Sequence, residues 1–454
     1  MAIVFDEIQA AHLLRRAGFG GTRQEIADFV SMGREASVNY LVDFEIVDDS
    51  EMESGLAAAN FLEPNQNNML NVGQIQQWWM YRMLHTKRPL VEKMVLFWHD
   101  HFATAVSKVV NREYMIEQNY ILREHALGNF EDLVLDVAQD PAMIVFLDNN
   151  TNIKGSPNEN FGRELMELFT TGIFDQVTGE ENYTEFDIQE AARAFTGWTI
   201  RRRNFFFNAA QHDFGIKTVF GESGDFNGED IINMLVQLDA TARHMAWKLL
   251  EWFVFPDPSA ELIEEVAQVY FDSGYNIKEV VRYILLSDAF CSQSALNANV
   301  KNPTEFIVGM IRMLEADADP RAFLDSMALL EQVLFNPPTV AGWDWGLAWI
   351  NTATLLIRYN VSNSLASARG RVGRSAVSFD PGNLLSTTDA ASAEAVVDFF
   401  LALMGPLDVS VTTRQTLIDY LDSDGTFTVN NATIDQKVRG LVHLVTALPE
   451  FQLN

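Results

Sequence analysis

The stretch Asn158-Glu-Asn-Phe-Gly-Arg-Glu-Leu-Met-Glu-Leu-Phe-Thr-Thr-Gly172 reads as an amphipathic helix with both ends written out. Ser156, Pro157 and Glu159 have the spacing of a capping box with proline at the first helical position, and Gly172 supplies a left-handed stop. Leu165, Leu168 and Phe169 make the apolar stripe. Glu164 and Glu167, three apart, share a face with Arg163 beside them. A plain surface helix needs only scattered charge, whereas acids clustered beside a base suit the lining of a cleft.

The same three-four apolar spacing runs outward in both directions. It covers 7–16, 22–32, 73–86, 89–102, 111–126 and 130–139 before this stretch, and 184–196, 228–236, 240–253, 259–272, 277–288, 303–316, 320–333 and 346–361 after it. Three more segments, 391–404, 411–421 and 432–446, close the chain. Two-residue alternation is confined to 198–207 and 211–220, which read as two strands of one hairpin around Asn208-Ala-Ala. The expected fold is all-α: a large multi-helix orthogonal bundle with one small β-hairpin insertion at about 198–220. Residues 46–72 and 368–390 read as loops. The economical division is a main helical domain, 1–365, followed by a linker and C-terminal helical cap, 366–454.

Of 454 residues, 48% are hydrophobic, enough for a large core. Acids outnumber bases 62 to 32, a formal net charge of −30. That field repels phosphate backbones, which argues against nucleic acid and anionic membrane as partners. Cys291 is the only cysteine, so no intrachain disulfide and no thiolate metal cluster forms. The N-terminal residues carry acids where a signal peptide needs a basic start, and no apolar run approaches the roughly 20 residues of a membrane span. A chain without an export signal of its own, staying in the cytoplasm or leaving with a partner, is the expectation.

Four polar clusters are candidates for chemistry. In Phe97-Trp-His-Asp-His-Phe102, His99 and His101 suggest ligands for a divalent metal. On a regular helix, however, positions two apart point about 200° apart, so both ligate one ion only if the helix unwinds. Glu164 and Glu167 suit acid–base work or a cation, against the alternative of pairing with Arg163 and a second base. Asp187, Glu190 and Arg193 recur on one face of the next helix. Asp187 completes a cap with Thr184, while Glu190 and Arg193 form either an ion network or an anion site. Gln211-His-Asp-Phe-Gly-Ile-Lys217 places Asp213, Gly215 and Lys217 on one strand face and His212 on the other. His12, His125, His244 and His443 fit packing roles. Nucleophile elbows, phosphate loops, dinucleotide fingerprints and the common zinc-protease and di-iron signatures do not occur.

Several strings taken together resemble the bacterial family catalogued as "domain of unknown function 1800". They include His12-Leu-Leu-Arg-Arg-Ala-Gly-Phe-Gly20, Phe97–Phe102, Lys154-Gly-Ser-Pro-Asn-Glu-Asn160 and Arg163-Glu-Leu-Met-Glu-Leu-Phe169. Tyr183-Thr-Glu with Ala192-Arg-Ala-Phe-Thr-Gly-Trp198, His212-Asp-Phe-Gly-Ile-Lys217, Lys301-Asn-Pro-Thr-Glu-Phe306 and Pro337-Pro-Thr-Val-Ala-Gly-Trp343 complete the set. The resemblance implies a helical fold, a secreted or envelope setting, and gene neighbours that resemble sulfatases. It also implies that the polar clusters gather at one cleft. On that expectation Glu164, Glu167, His212 and Asp213 are catalytic, Arg163, Glu190, Arg193 and Lys217 bind a polar or anionic substrate, and His99 and His101 hold a metal. The enzyme would be a metal-dependent hydrolase or oxidase acting on a carbohydrate or sulfated compound. The alternative is a non-catalytic binding or maturation partner of the sulfatase-like neighbour, with the Gly342-Trp-Asp-Trp-Gly346 turn at an interface.

Overall fold

The helix Pro89–His101 is buried along all 13 of its residues, the position of a helix with no solvent face. It carries five ionisable groups inward, and each meets a partner. Glu92 accepts from Trp79 Nε1 at 2.9 Å and from Arg123 at 2.7 and 2.8 Å. Lys93 makes an ion pair with Glu305. Helices Val72–His85, Arg112–Glu124 and Arg34–Val42 pack around it. This computed structural model describes residues 4–65, 69–405 and 407–454. The tip of the expected 46–72 loop, residues 66–68, and the first three residues of the N-terminal reading lie outside the described residues.

The described chain is predominantly helical, with only small strand pairs. The apolar spacing locates helices to the residue at Glu7–Arg16, Phe130–Gln139 and Gly228–Val236. The Thr184–Asp187 capping box forms as expected. No described helix is long and apolar enough to cross a membrane.

Four local expectations are corrected. The helix after Asn158 does not begin on Ser156, whose N–H turns back to Ile153 O at 2.9 Å. Asn158 Oδ1 instead accepts from Asn160 N at 3.0 Å, and the α-helical part is only Asn160–Glu164. Leu165–Phe169 then widens into a π turn, so the expected helical phase fails there, while Gly172 does take the left-handed conformation (φ 74°). The single hairpin becomes two. Trp198–Arg201 pairs with Asn204–Phe207 across Arg202 and Arg203, both left-handed (φ 51° and 77°), so the turn closes well before Asn208. Lys217–Val219 pairs with Glu222–Gly224, which leaves His212 and Asp213 in irregular chain rather than on opposite strand faces.

The stretch 46–72 holds a helix, Ser50–Ala59, and 368–390 holds two strands and a short helix. Those strands, Arg369–Val372 and Ser375–Ser378, extend to Asp317–Ala318 as a third small sheet. Near the C-terminus, Thr352–Ala366 packs on Arg439–Thr446, and Phe451 lies against Phe306 with ring centroids 5.8 Å apart.

Candidate functional site

Where Pro89–His101 ends, the helix Asp239–Phe253, the segment 299–305 and the loop 342–349 enclose a cavity of about 200 Å³. Four tryptophans line it: Trp252, Trp343, Trp345 and Trp349. Asp100, the penultimate helical residue, builds the far wall by holding the loop. Its Oδ1 accepts from Trp343 N at 2.7 Å and its Oδ2 from Trp345 Nε1 at 2.5 Å. Gly342 lets the loop pass so close: it is left-handed (φ 87°), and a Cβ there would stand 2.3 Å from Asp100 Oδ1. Burial raises the Asp100 pKa to about 6, with the two Trp donors opposing.

Arg16 forms the floor. It reaches from the end of Glu7–Arg16 to the carbonyls that close Asp239–Phe253, with Nε on Phe253 O at 2.8 Å and Nη2 on Trp252 O at 2.9 Å. A cation placed there satisfies orphan carbonyls and opposes the negative end of the helix dipole. Two ring donors in the walls, Trp252 Nε1 and Trp343 Nε1, are buried without a hydrogen-bond partner among the described residues. Glu251 is half-buried, and burial pushes its pKa up against the pull of nearby Lys248. Among the described residues its carboxylate receives one hydrogen bond, a long 3.5 Å contact from Asp257 N, so it is the acid of the cleft least committed to the fold.

A polar chain runs from this wall to the π turn. The ammonium of Lys248 is buried, which lowers its pKa, while Asp100 and Glu251 support its charge. Lys248 Nζ lies 3.2 Å from His101 Nδ1, and His101 Nε2 lies 3.1 Å from Phe169 O. A carbonyl only accepts, so Nε2 carries the proton and Nδ1 accepts from Lys248. Burial keeps this imidazole neutral, holding its pKa well below the usual value. The π turn thus ends on side-chain donors: His101 at Phe169 O, Thr170 at Leu165 O (2.6 Å) and Thr171 at Met166 O (2.9 Å).

The ten residues expected to form the site fall into four places. His99 is buried among Trp79, Phe335 and Trp343; its Nε2 accepts from Phe335 N at 3.1 Å and burial lowers its pKa to about 3. His101 belongs to the chain just described, and the continuous helix turns the two rings apart. No group of three or more His, Cys, Asp or Glu is arranged to hold a metal ion among the described residues. Arg163 forks onto Glu185 at 2.6 and 3.0 Å and touches Glu159 at 3.5 Å; Glu167 accepts from Tyr183 at 3.2 Å. Burial, then neighbouring Glu167, raises the pKa of Glu164.

The fourth place centres on Arg193, which bonds Asp213 at 2.9 Å and Glu190 at 2.8 and 2.9 Å. Asp213 is pulled down to about 2, first by that guanidinium. Glu190 also accepts from Thr218 N at 2.9 Å, His212 Nδ1 meets Thr196 O at 2.8 Å, and Lys217 Nζ meets Gly215 O at 3.1 Å. These bonds tie the second hairpin to the helix Glu185–Ala194. Among the described residues, no hydrogen bond or ion pair joins this network to that of Arg163.

The cleft draws instead on other parts of the quoted strings: Arg16, Asp100, Asn302, Glu305 and Trp343. Their place within those strings was the available signal. Glu251 and Lys248 gave none, lying on a plain helical pattern. Residues 12–453 match the model of the family described as "Protein of unknown function (DUF1800)", and the chain belongs to that family. No curated protein and no solved structure matches it.

Proposed function

From membership of a family whose description names no reaction, we propose that this chain is an enzyme acting on a small ring-shaped polar substrate, best fitted by a sugar unit, in the tryptophan-walled cleft. Glu251 is its proton-transfer group. The observation that carries the reading is the meeting of four tryptophans with a carboxyl of raised pKa in one cavity of about 200 Å³. That volume suits one pyranose ring rather than a drug-sized ligand, which needs about 300 Å³ or more. Indole faces pack against the C–H face of a sugar, and the unpartnered Trp252 and Trp343 ring donors supply hydrogen bonds to hydroxyls. Burial, which raises the pKa of Glu251, favours it as a proton donor to a leaving oxygen, a role that contributes roughly 10²–10⁴ in rate.

The test combines binding and turnover. Tryptophan fluorescence titrated with a panel of neutral and uronic sugars is expected to change saturably with at least one of them, and to lose that response in Trp345→Ala. The same sugar as an aryl glycoside is expected to be hydrolysed, with Glu251→Gln binding normally but turning over about 10²–10⁴-fold more slowly. A folded protein that responds to no sugar sinks the proposal.

A second reading rests on Leu347, 81% exposed beside Trp345 at the rim of the cleft. It makes the loop the docking point for the sulfatase-like neighbour. Association of the two purified proteins, abolished by Leu347→Asp, is its expected signature.

A further inference from the structure

A second concavity shares no lining residue with the tryptophan cleft. It is an open groove of about 330 Å³ where the short helix Val106–Val109 meets the segment 333–336. Val106 N donates to Phe335 O at 2.8 Å and Ser107 N to Asn336 Oδ1 at 3.1 Å, which fixes the two segments to each other. Val72, Val106, Val110 and Val333 give the groove apolar walls. The chain carries 62 acids, yet none is among the described residues that line it, and its one charged group is Arg112.

Arg112 enters the groove with one edge unused. Its Nη1 donates to Val110 O. Nε is buried without a hydrogen-bond partner, and Nη2 has none either among the described residues. Nε and Nη2 make up the side-on edge of a guanidinium, the two parallel donors that fit the two oxygens of a carboxylate. Asn336 Nδ2 and Ser107 Oγ, in the same lining, also donate to nothing among the described residues. Arg112 and Val72 each open a helix, Arg112–Glu124 and Val72–His85, so the positive ends of two helix dipoles add to the field of the guanidinium.

The backbone is bent to hold this arrangement. Val110 is left-handed (φ 63°), and Asn111 N donates across it to Val109 O at 2.7 Å, the rare and strained form of a γ-turn. The turn aims the Val110 carbonyl at Arg112 and leaves the Val110 side chain 59% exposed at the groove. A branched residue is disfavoured in that conformation, and a ligand that covers it recovers apolar burial.

We propose that this groove binds a short-chain aliphatic carboxylate. Its carboxylate lies on the side-on edge of Arg112, and its alkyl chain lies along the four valines. The walls offer no ring for a sugar to stack on, and the unopposed guanidinium selects an acid over a neutral compound. The site depends on no feature of the tryptophan cleft and stands or falls apart from the proposed activity.

The experiment uses the full chain, with hexanoate as the probe and hexanol as its uncharged counterpart. Titration by saturation-transfer NMR is expected to show saturable binding of hexanoate, about tenfold or more tighter than that of hexanol. Arg112→Met, folded by circular dichroism, is expected to lose the preference for the acid, and Val110→Ser to weaken both probes. Crystals soaked in bromohexanoate are expected to show an anomalous bromine peak between Val72, Val110 and Val333. Absent or unsaturable hexanoate binding, equal affinity for acid and alcohol, or a preference that survives in Arg112→Met each overturns the site. A bromine peak elsewhere, with none in the groove, overturns it as well. Should Arg112→Met not fold, the wild-type preference and the position of the peak decide.

Discussion

Two polar regions of this molecule look alike in sequence and differ in depth. Around Arg163 and Arg193, acids and bases alternate on helices and pair in half-exposed networks. Around Pro89–His101, Glu92, Lys93, Asp100 and His101 are buried, and their partners come from distant segments. In the first region solvent reaches the pairs to differing degrees, most at Arg163–Glu185, and the loss of one costs less. In the second, removing a partner leaves a charge or a donor stranded where water does not reach. Charge spacing therefore signals polarity but not consequence; burial sets the consequence.

The comparison breaks or sharpens on four measurements. The largest effect is expected for Glu305→Gln, which keeps the cap on Asn302 N but strands Lys93. A loss of about 3–5 kcal/mol in urea unfolding is expected, and a loss below about 1 kcal/mol contradicts the account of the interior.

Next is the sign of the pH dependence, which is opposite in the two regions. Asp100 at about 6 and Asp140 at about 7, the latter buried at the start of the helix Pro141–Phe146 where it accepts from Gln118 Nε2 at 2.8 Å and Met143 N at 3.0 Å, stand above the ordinary 3.8, mainly through burial. The folded state holds their protons where the unfolded chain has released them. Stability from these groups therefore falls as pH rises from about 4 to about 7, by roughly 3 kcal/mol for Asp100 and roughly 4 kcal/mol for Asp140. Asp213, at about 2, stands below 3.8 and stabilises above that value, and its contribution is lost as pH falls from about 4 to about 2. Urea midpoints across pH are expected to show both limbs, with Asp140→Asn flattening the first and Asp213→Asn the second. Equal slopes in the variants and the wild type refute the assignment.

Arg193→Met is expected to cost about 1–2 kcal/mol, since three charge-assisted bonds are lost at a partly exposed site. Smallest is Arg163→Ala, where the pair with Glu185 stands in solvent at 35% and 55% side-chain exposure. There the expected change is below about 1 kcal/mol, measured by the same denaturation.

The helices were legible because apolar spacing of three and four has one physical reading, a stripe that must be covered. Ser50–Ala59 escaped because its acids and alanines make no such stripe. The first hairpin was misplaced because Arg202 and Arg203 occupy left-handed positions where asparagine or glycine is the usual signal. In the candidate site, Asp100 was passed over between two histidines that drew attention. Only the contact with Trp343 and Trp345 reveals its use, across more than 240 residues of chain.

By itself the sequence determined a predominantly helical chain of one family, with a large core, a strongly negative surface and named polar strings. These are local or summed properties, carried by each residue and its near neighbours. The tertiary structure alone decided which polar residues share a cavity, which face solvent, and which cations meet no carboxylate. Those depend on the packing of segments hundreds of residues apart, and on the low dielectric that packing creates around them.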